Sequence, residues 1–594
     1  MLTHHLAQLE STGLIRLAQA QPELEYLFRH ALVQDAAYAS LVKQDRRQLH
    51  RSVGEALERM YPDRLALGEL APLLGRHFDA AGDDERALKY FALAGDAAAR
   101  VYANTEAAAH YARALNVARR KAEVSADLLI HLYTGRGQAL ELNGRHAEAL
   151  SDYGEMEKLA RARGDRSMEL AALMARAKIY ATLNRAQDPA QAQIVLEQAL
   201  SLARELGDRA AECKVLWNLM LVLLWSGGDQ RQSVVYGEQA LALARELDLR
   251  EQLAFTLNDL AYGYMSTGRW SQVRAALDES REIWREQGNL PMLADNLANS
   301  VLMHLRAGRF QEAVELADEA LRISRSIGNV WGQAGSQAYV GLVYLERGEA
   351  DRAIAIMEEA VRLGEQSGHP APLITTRADL GWAYAMLGAV DRGLELAGLA
   401  LARAGETPFL RVHSIGVLTR LHVLNGDRAA AQAALREGLE ELKPEGLQWF
   451  APILLSLANA ELALVRQDYP RVISVVDDLL ADLHKAQTRA FTPDALYLKG
   501  KALLAMGPLQ AEEARGTLMH ARSEAEALGS RRSLWPILVA LSEIEAQHGN
   551  QAEAQALRRQ AREIVEYIAD HAGTPELRAS FLGLPHVRAT MDTP

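Results

Sequence analysis

A glycine returns every 40 residues through the middle of this 594-residue chain. Gly228, Gly268, Gly308, Gly348 and Gly388 sit in the turns SGGDQ, TGRWS, AGRFQ, RGEAD and LGAVD. The series runs on less strictly through Gly426, Asp468, Gly507 and Gly549, and upstream through Gly82 and Gly144, with Asn184 the expected counterpart between those and Gly228. A second mark falls between the turns, at Gly164-Asp165, Gly207-Asp208, Gly288-Asn289, Gly328-Asn329 and Gly368-His369. Each period therefore holds two segments of helical length, each closed by a residue that tolerates the left-handed C-cap. Apolar residues inside the segments fall at i, i+4, as in Leu260/Tyr264 and Val273/Leu277. No stretch reads as a strand. A single core stops growing well below this length, and one helix pair cannot bury its apolar face alone. The pairs must stack on one another.

Packing positions repeat with the turns. Seven residues before the turn glycine a small side chain recurs, where two helix backbones approach: Gly75, Gly137, Ala261, Gly341, Gly381 and Gly500. Four residues before it stand the bulky Phe78, Tyr264, Tyr344 and Tyr384, and five residues after it the small Ala87, Ala149, Ala313 and Ala353. On these residues the chain resembles the tetratricopeptide repeat family, from about residue 61 to about residue 572. The resemblance implies an all-α fold, a right-handed superhelical solenoid of antiparallel helix pairs. The usual repeat has about 34 residues, so a 40-residue period adds roughly 9 Å of helix shared between the two helices, at 1.5 Å per residue.

Composition agrees with helix and narrows the partners. Apolar residues make up 49% and aromatics only 6%, with Ala and Leu abundant, and both lose little side-chain freedom in a helix. A formal net charge of −12 is repelled by phosphate backbones, so nucleic acid is not the expected partner. One cysteine, Cys213, allows neither an intramolecular disulfide nor a zinc–thiolate cluster. The first residues lack a basic segment followed by an apolar one, and the strongest apolar run, residues 219–225, is too short to cross a bilayer. A soluble, cytoplasmic protein is expected, with no cofactor.

Residues 22–58, PELEYLFRHALVQDAAYASLVKQDRRQLHRSVGEALE, carry a different pattern. Through Tyr26, Phe28, His30, Ala31, Leu32, Ala37, Tyr38, Leu41, Arg47, Leu49 and His50 they resemble the region behind the ATPase module of bacterial signal-transducing regulators, some of which bear a class III nucleotide cyclase. Residues 5–17 resemble the end of the winged-helix domain of such proteins. The expected organisation is a helical junction over 1–58, a repeat solenoid over 59–572, and a capping segment with tail over 573–594. The resemblance implies a separate ATPase or adenylate/guanylate cyclase module as one partner, but none of its catalytic residues fall in this chain.

Gly500-Lys501-Ala502 is the nearest approach to a phosphate-binding loop, with Ala495 where the first Gly belongs and Ala502 where a hydroxyl is needed. Gly135-Arg136-Gly137 has Leu140 in place of a third Gly and no strand before it. In residues 412–416, VHSIG, Val412 replaces the first Gly of a nucleophile elbow. No histidine pair has metal-ligand spacing: His4 and His5 are adjacent and point apart, and His30 stands without partners. The expected function is non-catalytic: a scaffold or sensor that holds a protein or peptide, in bacterial signalling or regulation. The alternatives are the regulatory part of an ATPase or cyclase and a transcription regulator, the last disfavoured by the balanced charge of the N-terminal junction.

A solenoid offers its concave face to a partner. In tetratricopeptide register the lining positions lie ten, six and three residues before the turn glycine: Asn218, Val222 and Trp225, then Asn258, Tyr262 and Met265, then Ala298, Leu302 and Leu305 with Asn299 one place along, and Ala378, Trp382 and Ala385. A column of carboxamides both donates to and accepts from an extended backbone, and the aromatics offer pockets. Taken singly, each of these residues is better explained as a link or filler between helices. Taken as a column, Asn218, Trp225, Asn258, Tyr262, Met265, Asn299 and Trp382 form the candidate peptide seat.

Overall fold

The computed structural model describes residues 2–19, 25–62, 64, 68–182, 186–226, 228–405, 408–442 and 450–592. The described residues are overwhelmingly helical, in successive packed antiparallel pairs. The chain divides into two compact units, Met1–Asp208 and Arg209–Pro594. No helix among the described residues is long and apolar enough to cross a membrane.

The punctuation read from the sequence is the backbone geometry. Gly268, Gly308, Gly348 and Gly388 adopt φ of 74°, 74°, 81° and 87°, and the intervening Gly288, Gly328 and Gly368 adopt 65°, 65° and 77°. Asp248, at φ 51°, fills the same left-handed position one full period before Gly288. Its side chain tolerates the conformation, so aspartate stands where the other turns place glycine. Gly228 is not left-handed, Gln467 and not Asp468 takes the left-handed turn at φ 61°, and Asn184 lies outside the described residues. Side chains then start the next helices: Asp165, Asp229, Asn289 and Asn329 each accept a backbone N–H of the first turn.

The small residues ahead of the turns meet the second helix of their own repeat. A Cβ on Gly75 would lie 2.6 Å from the Phe91 ring, one on Gly341 2.6 Å from Met357, one on Gly500 2.6 Å from Leu518, and one on Gly137 would collide with the Tyr153 phenol. At Gly381 the neighbour is backbone, the Gly393 carbonyl oxygen at 2.6 Å. Ala87, Ala149, Ala313 and Ala353 have no exposed surface.

In the first unit, the expectation of no β-structure fails. Strands Ile15–Gln19 and Glu25–Phe28 pair antiparallel behind the helix Leu2–Ser11. Alternation over Ile15-Arg16-Leu17 is too short to separate from helix on periodicity alone. The boundary expected at residue 58 falls inside the helix Lys43–Met60, which packs on the first repeat helix, Ala71–Ala81. Arg86 ties the two together, reaching Glu55, Glu58 and Asp83 while its guanidinium lies 4.1 Å from the Phe78 ring.

In the second unit the array turns back on itself. The Arg306 carbonyl accepts from Arg489 N–H at 2.8 Å, the Arg347 carbonyl from the Arg531 guanidinium at 3.1 Å, and Glu346 binds both Ser530 and Arg532. Trp225 meets Phe409 with ring centroids 5.9 Å apart. Each of these pairs is separated in sequence by between four and five periods of the repeat. Repeats that touch only their neighbours define no domain boundary. Contacts at this separation bind 209–594 into one unit, where the sequence reads 59–572 as one continuous array. The C-terminal helices Pro575–Gly583 and Pro585–Asp592 bury Phe581 and Val587, and the His586 ring stacks on Trp535 at 5.5 Å.

Candidate functional site

The first helices of consecutive repeats in the second unit meet along one stripe. In Arg250–Ser266, Leu290–Arg306, Val330–Gln337 with Val340–Glu346, and Arg377–Met386 with the turn before it, the positions ten and three before the glycine are buried. They hold Asn258, Ala298, Ala338 and Ala378, and Met265, Leu305, Leu345 and Ala385. The partly exposed positions lie thirteen, nine and six before the glycine: Phe255, Asp259 and Tyr262, then Asp295 and Asn299, then Gly335, Tyr339 and Leu342, and lastly Trp382. Steps of four and three keep these on one helix face. From the start of the helix Arg209–Trp225 to Arg250 the chain is one residue longer than the period. Asn218 is therefore the structural counterpart of Asp259, not of Asn258.

Asn258 and Met265 thus lie in the core, 1% and 2% exposed. Asn258 donates to Asp295 at 3.1 Å and accepts from the buried Asn296 at 3.1 Å, so it joins two helices and is unavailable to a ligand. Asn218 donates to the Lys214 carbonyl of its own helix at 2.9 Å. Tyr262 donates to Asn299 at 2.5 Å, and Asn299 donates to Asp295 at 3.1 Å. The Trp225 ring lies 5.4 Å from that of Tyr262. Trp382 lies under the Arg420 guanidinium at 3.9 Å, which is itself paired with Glu461 at 2.7 Å. Trp225, Tyr262 and Asn299 come together at a partly exposed stripe; Asn258 and Met265 lie beneath it.

Two carboxylates on this stripe escaped the sequence reading. Asp259 accepts the Trp217 indole N–H at 2.9 Å, and Asp295 accepts from Asn258 and Asn299. These donors are all neutral. Burial, then the nearby Asp295, push the Asp259 carboxyl up to about 7, and burial raises Asp295 as well. Burial also raises Tyr262 and Tyr339 above the ordinary phenol range, so both stay protonated and able to donate. The signal was present in the pairs Asn258-Asp259 and Asp295-Asn296. A register one residue late would have brought Asp259 and Asn299 to the surface. A second cluster joins repeats across the turn of the array: Arg532 binds Glu346 at 2.8 Å and Asp494 at 2.7 Å. Burial opposes charge on Asp494, and Arg532 outweighs it and holds that carboxyl below its ordinary range.

The near-motifs have structural partners. Gly500 and Gly137 are the close approaches described above. His413 bonds Asp379 at 2.9 Å in the core while the Ser414 hydroxyl turns to the Leu410 carbonyl, so the three form no nucleophilic relay. Among the described residues no group of three His, Cys, Asp or Glu side chains could hold a metal ion.

Comparison with known proteins falls on the same region. Residues 252–326 match the family model for the tetratricopeptide repeat. No curated protein matches. Among solved structures, the apo form of RapI is 12% identical, covers 60% of this chain and 97% of its own, and superposes with a TM-score of 0.43. The Cut9–Hcn1 hetero-tetramer of the APC/C is 13% identical, with 94% and 98% covered and a TM-score of 0.49. Aspartyl phosphate phosphatase F from Bacillus subtilis is 11% identical, with 61% and 96% covered and a TM-score of 0.40. Residues 252–326 match tetratricopeptide repeats, and the second unit around them stacks antiparallel helix pairs of that kind.

Proposed function

We propose that the second unit holds an extended peptide or protein segment along the stripe of Trp217, Asp259, Tyr262, Asp295, Asn299 and Tyr339, and that the chain acts as a scaffold or sensor without chemistry of its own. The observation that carries this reading is the composition of the partly exposed stripe, which interleaves aromatic faces with carboxylate and carboxamide groups on successive first helices. Aromatic rings supply apolar contact at little entropic cost, and the amide and acid groups match a peptide backbone and a cationic side chain. The reading extends to a regulatory setting, the signalling ATPase or cyclase regulators that residues 22–58 resemble, with this chain as the part that senses or assembles.

The test replaces Leu221 and Asn299, both partly exposed on or beside the stripe, with a photo-crosslinking residue in turn. A control position is Gln272, on the second helix Trp270–Gln287. Crosslinks to one partner segment from the stripe positions and not from position 272 support the seat. Equal crosslinking from all three, or from the control alone, rejects it.

A further inference from the structure

The N-terminal end of the chain leaves apolar surface uncovered. Of the large apolar side chains exposed among the described residues, eleven lie between Leu9 and Met60 and sixteen in all the rest of the chain, so the density is several-fold higher at this end. Leu27 and Phe28 are each 43% exposed, Leu17 is 40%, and the helix Ala31–Ser40 behind the hairpin has no buried residue and leaves Leu32 81% exposed. A two-stranded hairpin alone is marginal in water and gains stability from further strands or a covering surface.

The two edges of this hairpin are treated differently. On strand Ile15–Gln19 the register shifts between Leu17 and Gln19, and the outward N–H of Leu17 donates to the Glu10 carboxylate at 3.3 Å. A bulge and a side-chain cap are devices that close an edge to further pairing. Among the described residues, strand Glu25–Phe28 has neither. The Arg29 N–H points inward, to the Leu14 carbonyl at 3.0 Å, so by alternation the N–H and C=O groups of Tyr26 and Phe28 point outward. Among the described residues this strand pairs only with its hairpin partner.

The residues along that open edge read Glu25-Tyr26-Leu27-Phe28-Arg29. Laid antiparallel against itself about Leu27, the segment sets Glu25 opposite Arg29, Tyr26 opposite Phe28, and Leu27 opposite its own copy. The outward groups of Tyr26 and Phe28 then exchange four backbone hydrogen bonds across a two-fold axis. Two aromatic pairs and two opposite-charge pairs flank the Leu27 contact, each the kind of cross-strand pair that stabilises a sheet. A self-complementary patch of this sort is what a two-fold interface requires.

We propose that the open edge of strand Glu25–Phe28 joins the same strand of a second copy of this chain, antiparallel about Leu27, making a continuous four-stranded sheet. The aromatic pairs extend the exposed apolar face of Leu17 and Phe28 across the axis, and Glu25 and Arg29 fix the register.

Sedimentation equilibrium of the full chain over a range of concentrations tests this with Glu25→Arg, Arg29→Glu and the double swap E25R/R29E. All three changes are at exposed positions, and circular dichroism checks that the helical array is intact. The wild type should dimerise. Each single reversal turns two attractive pairs per dimer into repulsive ones and should weaken dimerisation by at least about tenfold. The double swap should return it to within about threefold of the wild type. A chain that stays monomeric at every concentration overturns the proposal, since the apolar surface then belongs to a different partner. A dimer that ignores the single reversals, or that the double swap fails to recover, overturns it equally.

Discussion

Gly393 and Gly398 lie on one helix, Val390–Arg403, yet alanine should act on them with opposite sign. A Cβ at Gly393 would stand 2.6 Å from the Gly381 carbonyl oxygen, 3.2 Å from the Ala385 Cβ and 3.3 Å from Leu421. Ordinary C···O contact begins near about 3.3 Å, so the two helices must part by roughly 0.7 Å, and the nearest neighbour is backbone that has no rotamer to change. Overpacking of this kind costs about 1–3 kcal/mol. Alanine's better helix propensity returns about 0.8–1 kcal/mol. The net expectation is a loss of up to about 2 kcal/mol. At Gly398 nothing lies within 4 Å and the residue is exposed, so only the propensity gain remains, about 0.5–1 kcal/mol. Because an array of repeats opens locally, a single global midpoint is not the right quantity. Hydrogen exchange read on peptides covering 377–403 is. Protection there should fall, by up to about 30-fold, for Gly393→Ala and rise about 2–5-fold for Gly398→Ala. If both substitutions shift protection in the same direction, the close approach between these helices is not what places glycine at position 393.

Other expectations concern charge. Asp259 has a folded-state value near 7, above the ordinary carboxylate range, so the folded state binds more protons between about pH 4 and 7. Its contribution turns increasingly unfavourable as pH rises through that window. Protection of the helix Arg250–Ser266, corrected for intrinsic exchange, should fall from pH 5 to pH 8 more steeply in the wild type than in Asp259→Asn, and equal slopes would show that Asp259 titrates normally. Arg532→Met leaves Glu346 and Asp494, each 15% exposed, without their cation. This should cost about 3–5 kcal/mol, read as faster exchange in both 340–346 and 492–505. Adding Glu346→Gln and Asp494→Asn should recover most of the loss.

Much of the fold was legible because one rule repeats. Gly341, Gly381 and Gly500 were marked as close approaches from their offset alone, and each meets the second helix of its own repeat. Asp248 escaped because the left-handed turn tolerates aspartate. The hairpin escaped because it spans only a few alternating residues at the edge of the array. The partly exposed helix face was legible to within one residue: a one-place change rotates a helical position by about 100°, which moves Asn258 into the core and brings Asp259 out. The return of the second unit on itself was not legible at all. It rests on Glu346 with Arg532, Arg306 with Arg489, and Trp225 with Phe409, and nothing in a local repeat specifies how many repeats complete a turn.

That return is the claim on which the second unit depends, and it is open to one direct measurement. Arg347 and Arg531 are joined by a 3.1 Å hydrogen bond across 184 residues, both are partly exposed, and the native Cys213 is buried. With cysteines at positions 347 and 531, a short bis-maleimide should link them within a single chain at high yield, found by mass spectrometry as one crosslinked peptide pair. Two singly capped thiols with no intramolecular link would show an array that does not come back on itself, and would contradict the account.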